Sequence, residues 1–220
     1  MTRALAIAVV VSGFQLQYDP DLFARHEIRH LPRLTKQEIG TDIPIGLAPA
    51  REQIAFPDNR RPDDPDNITF FPLRDASVPN FSRAYPELAG SPGALRRVLA
   101  NPTGNVARLL EAADLGCVDI AHAFHARVHK LKFAWGEGIA FLTQYTQEPD
   151  LANPATEKEL VMVFLGITAD KSHYVRAQFA VRHPSLPAPA KSLENLPASS
   201  FRPPLDAIEQ MLASISRHRP

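Results

Sequence analysis

One stretch of the sequence has the spacing of a zinc-binding motif: His26-Glu27-Ile28-Arg29-His30 matches the pattern H-E-x-x-H. On a helix, this spacing places both imidazoles on one face, where they can hold zinc while the glutamate acts as general base. The preceding Asp19-Pro20 is a suitable start for such a helix. The motif therefore gives one hypothesis, a zinc-dependent hydrolase with His26 and His30 as ligands and Glu27 as catalytic residue.

A zinc site needs a third protein ligand, and the neighbouring sequence does not supply one. The extended metzincin pattern requires glycine and histidine at positions that Arg33 and Lys36 occupy. Glu38 and Glu52 are carboxylates at a suitable distance, but both lie in sequence interrupted by proline. We therefore expect no metal, no cofactor and no catalytic residue, and keep the hydrolase as an alternative.

A second group of histidines comprises His122, His125 and His129. On a helix, all three would lie on one face, and Asp119 could cap that helix. On a strand, His125, Arg127 and His129 would share a face and could bind an anion or respond to mild acid. We favour the strand, because it completes a hairpin with the sequence that follows. Solvated residues on an edge strand would give the same pattern.

Two further residues have side chains suited to binding or reactivity. Trp135 lies in a glycine-containing turn, where it could be exposed for contact or packed over the sheet edge. Cys117 is the one cysteine, so it cannot form a disulfide within the chain, and its apolar neighbours indicate a buried small side chain. The candidate binding residues are therefore His125, Arg127, His129 and Trp135.

The elements that would position these residues are mainly strands. Alternating apolar and polar residues predict an antiparallel meander of four strands over about 124–181. Its strands are Phe124–Phe133, Ile139–Gln147, Glu159–Ile167 and His173–Val181. The third strand is apolar on both faces, which is typical of a central strand covered on both sides. We therefore predict an α+β fold with helices packed on both faces of an antiparallel sheet.

The remaining elements lie on either side of this meander. Shorter strands are predicted at Gly13–Tyr18, Gln53–Phe56 and Ile68–Leu73, and helices within Ser82–Leu115 and from Leu205 to Ile215. Ser91-Pro92 has the residue types of a helix start. Because 21 residues are proline, the segment 183–204 is expected to be a rigid, extended connection.

Composition and charge limit the function classes. Lysine plus arginine and aspartate plus glutamate both number 24, so the formal net charge is zero and we expect no nucleic-acid partner. No stretch is long enough to span a bilayer. Residues 1–12 form an apolar segment that fits either a degenerate signal peptide or an extra strand. Residues 13–220 are expected to form a single α+β domain.

Several segments resemble an uncharacterised domain of bacterial exported proteins, many of which are lipoproteins. The resemblance rests on 124–128, 138–145, 174–175 and 183–187, and more loosely on 14–20 and 68–72. It implies an extracytoplasmic setting, an extended segment at His26–His30 and no known activity. The order of elements is also similar to that of PsbP-like α/β/α sandwiches. The chain departs from the family because it lacks a clear lipoprotein signal, so a cytoplasmic location is the alternative.

We therefore predict a non-enzymatic binding or assembly domain associated with the cell envelope, with an unidentified protein or small ligand as partner. The zinc hydrolase is one alternative. The other is a small-ligand carrier with an apolar pocket between the sheet and the C-terminal helix.

Overall fold

The computed structural model describes residues 6–33, 48–57, 66–102, 106–115, 121–146, 160–186, 188 and 190–218. Within these residues the fold is mixed α+β with antiparallel sheets, as predicted. The strands are β1 (Ile7–Val11), β2 (Phe14–Tyr18), β3 (Glu27–Leu31), β4 (Arg51–Phe56), β5 (Asp66–Pro72), β6 (Ala121–His122), β7 (Ala126–Phe133), β8 (Gly136–Thr146), β9 (Leu160–Thr168), β10 (His173–Ala180) and β11 (Ser216–Arg217). The helices are α1 (Phe81–Ala84), α2 (Pro86–Ala100), α3 (Ala107–Ala113) and α4 (Leu205–Ala213).

A small three-stranded sheet brings the two ends of the described chain together. Strands β1 and β2 form a hairpin, and β11 pairs with the other edge of β2. The hairpin turns at Ser12 and Gly13, whose φ angles of 50° and 72° are those of a tight hairpin turn. The apolar N-terminal segment is thus a strand from Ile7 onward in the folded chain.

The larger sheet has eight strands, and its order is β3-β4-β5-β10-β9-β8, with β6 and β7 both pairing with β8. Each of β7, β8 and β9 pairs antiparallel with the strand that follows it in sequence. The edge strand β3 pairs with β4 alone within the described residues. This arrangement places β5 beside β10 and so joins the two halves of the chain in one sheet.

Strand β9 is buried along its whole length, as its doubly apolar sequence predicts. Gly138 on β8 and Gly166 on β9 are directly opposed, and the ring of Phe164 lies over both. A Cβ on Gly138 would approach the ring of Phe164 to 2.4 Å and the carbonyl oxygen of Leu165 to the same distance. These glycines therefore create the space that a central aromatic ring fills.

Two apolar cores lie on opposite faces of the large sheet. On one face, α2 and α3 cover side chains that include Phe141, Val163 and Tyr174. On the other face, α4 and the small sheet cover a core rich in aromatic rings that includes Phe14, Phe70 and Phe164. The alternation of side chains along β9 supplies both cores, which explains why it has no polar face.

Helix α2 begins earlier than predicted. Helix α2 starts at Pro86, after Tyr85 at its N-cap, and continues through Ser91 and Pro92. The predicted start at Ser91-Pro92 is wrong because Tyr85-Pro86 already provides a proline in the first turn. Ser91 instead donates its hydroxyl to the carbonyl of Ala112 at 2.9 Å, which links α2 to α3.

The proline-rich segment before α4 is packed rather than simply extended. It contains two short 3₁₀ helices, Ala190–Asn195 and Ala198–Ser200, and buries Leu193 and Phe201 in the aromatic-rich core. The guanidinium of Arg127 holds this segment by donating to the carbonyls of Leu193 and Leu196. Proline composition alone therefore misled the prediction of an extended tether.

Candidate functional site

The H-E-x-x-H motif lies on a strand, so the helical hypothesis for it is wrong. Glu27–Leu31 forms β3, with His26 just before it. Four residues along a strand span about 13 Å, which is too far for His26 and His30 to bind one metal ion. Antiparallel pairing with β4 determines the extended conformation of this segment, because each residue from Glu27 to Leu31 has a partner on β4.

The two histidines of the motif also have separate partners. Nδ1 of His26 is 2.7 Å from the hydroxyl of Tyr18, and Nδ1 of His30 is 2.9 Å from Oε1 of Glu52. Glu52, the carboxylate considered as a third ligand, also accepts hydrogen bonds from the backbone and hydroxyl of Ser12. These contacts tie β3 and β4 to the small sheet, so the motif joins elements of the fold.

In the described ranges, no group of three or more His, Cys, Asp or Glu is placed to hold a metal ion. Glu38 and Cys117 lie outside those ranges.

The row of His125, Arg127 and His129 is interrupted by a β-bulge. The pairing of β7 with β8 shifts between Ala126 and His129, and Arg127 has a φ of 54°. His125 consequently contacts Phe141 in the core beneath α2 and α3. Arg127 and His129 contact the 3₁₀ segment and α4 on the opposite face. The prediction of one shared face is therefore wrong for His125.

Trp135 is buried, so it is not an exposed contact residue. Its indole Nε1 donates to the carbonyl of Leu212 in α4 at 2.8 Å, and its ring stacks on Phe133. The turn before β8 positions the ring against Phe164 of the central strand β9, and α4 covers it. Of the two alternatives for Trp135, packing is the arrangement found.

A buried group of polar side chains surrounds Asp114, immediately after α3. Its Oδ1 is 2.5 Å from Nε of Arg176, and its Oδ2 accepts from Tyr145 at 3.0 Å and contacts Nε2 of His122 at 3.1 Å. Nη2 of Arg176 also donates to the Tyr145 hydroxyl at 2.8 Å. We call Asp114, His122, Tyr145 and Arg176 the Asp114 cluster. All but Tyr145 are buried.

The charges within this cluster compensate one another. Burial disfavours ionisation of Asp114, but the adjacent Arg176 guanidinium and the hydrogen bonds from His122 and Arg176 outweigh it and hold the pKa of Asp114 well below its usual range. Asp114 is therefore ionised at neutral pH and forms a buried ion pair with Arg176.

A chain of hydrogen bonds leads from the Asp114 cluster to His125. Nδ1 of His122 is 2.8 Å from Nε2 of His125. A carboxylate only accepts hydrogen bonds, so Nε2 of His122 carries the proton that faces Asp114. The protons on the two rings determine which of these two facing nitrogens donates.

A cavity of about 320 Å³ lies on one side of the Asp114 cluster. Its polar lining comes from β4, β5, β8 and β10: Arg51, Gln53, Asn67, Thr69, Tyr145, Arg176 and Gln178. We call it the Arg51 cavity. Gln53 donates to Thr69 at 3.0 Å, and Gln178 accepts from Arg176 at 2.8 Å, so these neighbouring strands present a connected polar surface.

Arg51 differs from Arg176 because one end of its guanidinium has no polar partner. Its Nη1 is buried and makes no hydrogen bond within the described chain, while the guanidinium lies 5.6 Å from the ring centre of Phe71. Burial lowers the pKa of Arg51, yet arginine remains charged in proteins. A buried cationic donor without an acceptor is costly, and an anion in the cavity would satisfy it.

A second cavity, of about 480 Å³, lies on the other side of the Asp114 cluster. His122 and His125 line it together with Glu111 of α3 and apolar residues that include Val106 and Val128. We call it the His125 cavity. Burial, reinforced by His122, lowers the pKa of His125 to about 4, so its ring is neutral near pH 7.

The sequence identified His122 and His125 but missed Asp114, Tyr145, Arg176 and Arg51. A signal for one of them was present: Arg176 lies on β10 between apolar residues, beside a strand that is apolar on both faces. A charged residue beside such a strand indicates a buried ion pair. Nothing local to Asp114 indicated its partner, since 62 residues separate it from Arg176.

Comparison with known proteins gives no match: no family model matches the chain, and no curated protein or solved structure is significantly similar to it. Within the described residues, no helix combines the length and apolar character needed to cross a membrane. The two cavities and the Asp114 cluster are therefore the features from which a function can be inferred.

Proposed function

We propose that the chain is a non-enzymatic binding domain that takes a small oxyanion, a carboxylate or phosphate compound, in the Arg51 cavity. The observation that carries this proposal is the buried Nη1 of Arg51, which has no hydrogen-bond partner in the described chain. A guanidinium matches the planar oxygen pair of a carboxylate or phosphate. The cavity volume of about 320 Å³ suits a small ligand.

The lining of the cavity supports an anion over a cation. Its two charged side chains are Arg51 and Arg176, and the carboxylate of Asp114 already pairs with Arg176. The other polar groups, including Gln53 and Thr69, are neutral. A bound anion would thus meet one guanidinium directly without displacing an existing ion pair.

The test is calorimetric titration of the full chain with acetate, succinate and inorganic phosphate at constant ionic strength. We expect at least one anion to bind saturably. Arg51→Gln should weaken that binding about tenfold or more, because a charge-assisted hydrogen bond contributes about 1.5–3 kcal/mol. Arg29→Gln is the matched control, since Arg29 lies on the neighbouring strand β3 and its guanidinium already pairs with Glu27.

Equal affinity of the Arg51→Gln variant and the wild type would contradict the proposal. So would heat signals that sodium chloride reproduces in full at the same ionic strength, because they would then not depend on the added oxyanion. Loss of binding in Arg29→Gln as well would point to an exposed cationic surface rather than to the cavity.

We propose an extracytoplasmic setting for this domain, on the strength of the resemblance to exported bacterial proteins. Cell fractionation of a producing bacterium would test it, and recovery in the cytoplasm alone would oppose it. We also propose that β7 to β10 form the four-stranded meander of a PsbP-like sandwich. The successive pairing of these strands supports this, as do elements packed on both faces of the sheet.

A further inference from the structure

The pairing of the strands shows which side chains form the floor of the Arg51 cavity. Arg51 and Gln53 are two residues apart on β4, so their side chains lie on the same face of the sheet. Gln53 pairs with Thr69 on β5, and Thr69 pairs with Arg176 on β10. Arg176 in turn pairs with Leu165, which belongs to the apolar core. A polar row thus occupies the same sheet face that is apolar from β9 onward.

The rest of the lining is mixed, with more polar than apolar side chains. The neutral polar residues are Gln53, Asn67, Thr69, Tyr145 and Gln178. The apolar residues are Leu31, Phe71 and Leu115. An apolar ligand would remove polar groups from water without giving them hydrogen bonds, which is costly. A ligand that fills this cavity therefore needs polar groups of its own beside its anionic end.

Gln53 has hydrogen-bonding capacity that the described chain does not use. Its Nε2 donates to the hydroxyl of Thr69 at 3.0 Å, and its Oε1 has no donor among the described residues. The side chain is half-buried, so a ligand in the cavity can reach it. A hydroxyl group both donates and accepts, so it complements a side-chain amide in either orientation.

The charge available to a ligand in the cavity is a single positive charge. Arg176 already forms an ion pair with Asp114. Arg51 has a buried nitrogen without a partner in the described chain, and burial alone accounts for its lowered pKa. A carboxylate carries one negative charge, whereas a phosphate ester carries about −1.5 to −2 at pH 7. Arg51 alone therefore neutralises a carboxylate more completely than a phosphate.

We propose that the ligand of the Arg51 cavity is a hydroxylated carboxylate of the size of one monosaccharide, such as a sugar acid. Its carboxylate binds Arg51 and one of its hydroxyl groups binds the amide of Gln53. The Cα atoms of these two residues are about 7 Å apart along the strand, so one ring can reach both side chains. This inference rests on the proposed anion site and specifies the class of its ligand. The cavity volume of about 320 Å³ suits a single sugar ring.

Glucuronate is the probe, and two other compounds each lack one of its features. Cyclohexanecarboxylate has the ring and the carboxylate without hydroxyl groups, and methyl glucoside has the hydroxyl groups without the charge. In calorimetric titrations of the full chain at constant ionic strength, glucuronate should bind saturably. Its affinity should exceed that of either other compound by about fivefold or more, since one hydrogen bond contributes about 1 kcal/mol.

Cyclohexanecarboxylate or glucose 6-phosphate binding as tightly as glucuronate would overturn this inference and leave the anion site standing. Glucuronate that does not bind, while acetate, succinate or phosphate does, would have the same meaning. Methyl glucoside binding as tightly as glucuronate would contradict both proposals, because Arg51 would then have no role. Absence of saturable binding by every anion would likewise overturn both.

A variant of Gln53 tests the hydroxyl contact separately from the anion contact. Gln53→Met keeps the length of the side chain and removes the amide, so it should weaken glucuronate binding about fivefold and leave cyclohexanecarboxylate within about twofold. Arg51→Gln should weaken both. Gln17→Met is the matched control, since Gln17 is an exposed glutamine on β2 of the small sheet, and it should change neither. An unchanged preference for glucuronate in Gln53→Met would refute the inference. If that variant does not fold, the comparison of ligands on the wild type decides.

Discussion

Replacing Asp114 by asparagine should be among the most destabilising single changes in this chain. Asp114→Asn removes the charge that compensates Arg176, whose side chain is 9% exposed. Breaking a buried ion pair by removing one partner costs about 3–5 kcal/mol. That is a large fraction of the total stability of a domain, about 5–15 kcal/mol. Urea unfolding of both proteins, followed by circular dichroism, measures the difference.

A double variant separates the cost of an unpaired charge from other effects. Asp114→Asn combined with Arg176→Met removes both charges, so it should recover at least about 2 kcal/mol of the loss. Glu27→Gln, which breaks the exposed pair with Arg29, should cost less than about 1 kcal/mol. A loss below 1 kcal/mol in Asp114→Asn would refute the reasoning. A double variant that is no more stable than the single one would also contradict it.

The pH dependence of stability should reflect the same pair. The pKa of Asp114 is lowered in the folded state, so its ionised side chain stabilises the fold fully above the pKa of about 4 that it has in the unfolded chain. This stabilisation is lost as pH falls toward the pKa of Asp114 in the folded state. The acid limb of the stability curve should therefore be flatter in Asp114→Asn than in the wild type.

Three further predictions concern the packing of the sheet and α4. Gly138→Ala should destabilise the fold by about 1–3 kcal/mol in urea unfolding, because the added Cβ would meet the backbone of β9 and the buried ring of Phe164. Gly93→Ala is the control, and it should be neutral or stabilising because the space around Gly93 is open. The ring of His129 contacts Glu209 and the backbone carbonyl of Arg127. The hydrogen bond to Glu209 outweighs the effect of burial and raises the pKa of His129. Protonated His129 should therefore add up to about 1 kcal/mol to the stability of the fold below about pH 6.5, and this stabilisation should be lost as pH rises through the pKa of His129 in the folded state. His129→Gln should abolish that pH dependence. The single tryptophan, Trp135, should emit at short wavelength in the folded chain, and Trp135→Phe should lower stability by about 1 kcal/mol or more; emission typical of exposed indole would contradict its burial.

Local sequence was a good guide to strands and a poor guide to their irregularities. Alternation and apolar runs located β9 and β10 to within a residue or two, because burial on a pleated sheet imposes a period of two. The bulge at Arg127 had no such signal, since arginine rarely adopts a positive φ. Contacts with the carbonyls of Leu193 and Leu196, distant in sequence, accompany that conformation.

The candidate sites depended on contacts that no local pattern contains. The H-E-x-x-H match suggested chemistry at His26 and His30, but strand pairing with β4 determined the conformation there. The Asp114 cluster unites residues from the end of α3, β6, β8 and β10. Arg51 could not be distinguished from other arginines by sequence, because its significance lies in a buried nitrogen without a partner.

The most direct test of the proposed binding function is the side-chain NMR signal of Arg51 during an anion titration. With succinate or inorganic phosphate added at constant ionic strength, the Nε–H resonance assigned through Arg51→Gln should shift saturably, while that of Arg29 should not. Uniform small shifts of exposed arginines, with no saturating change at Arg51, would contradict the account.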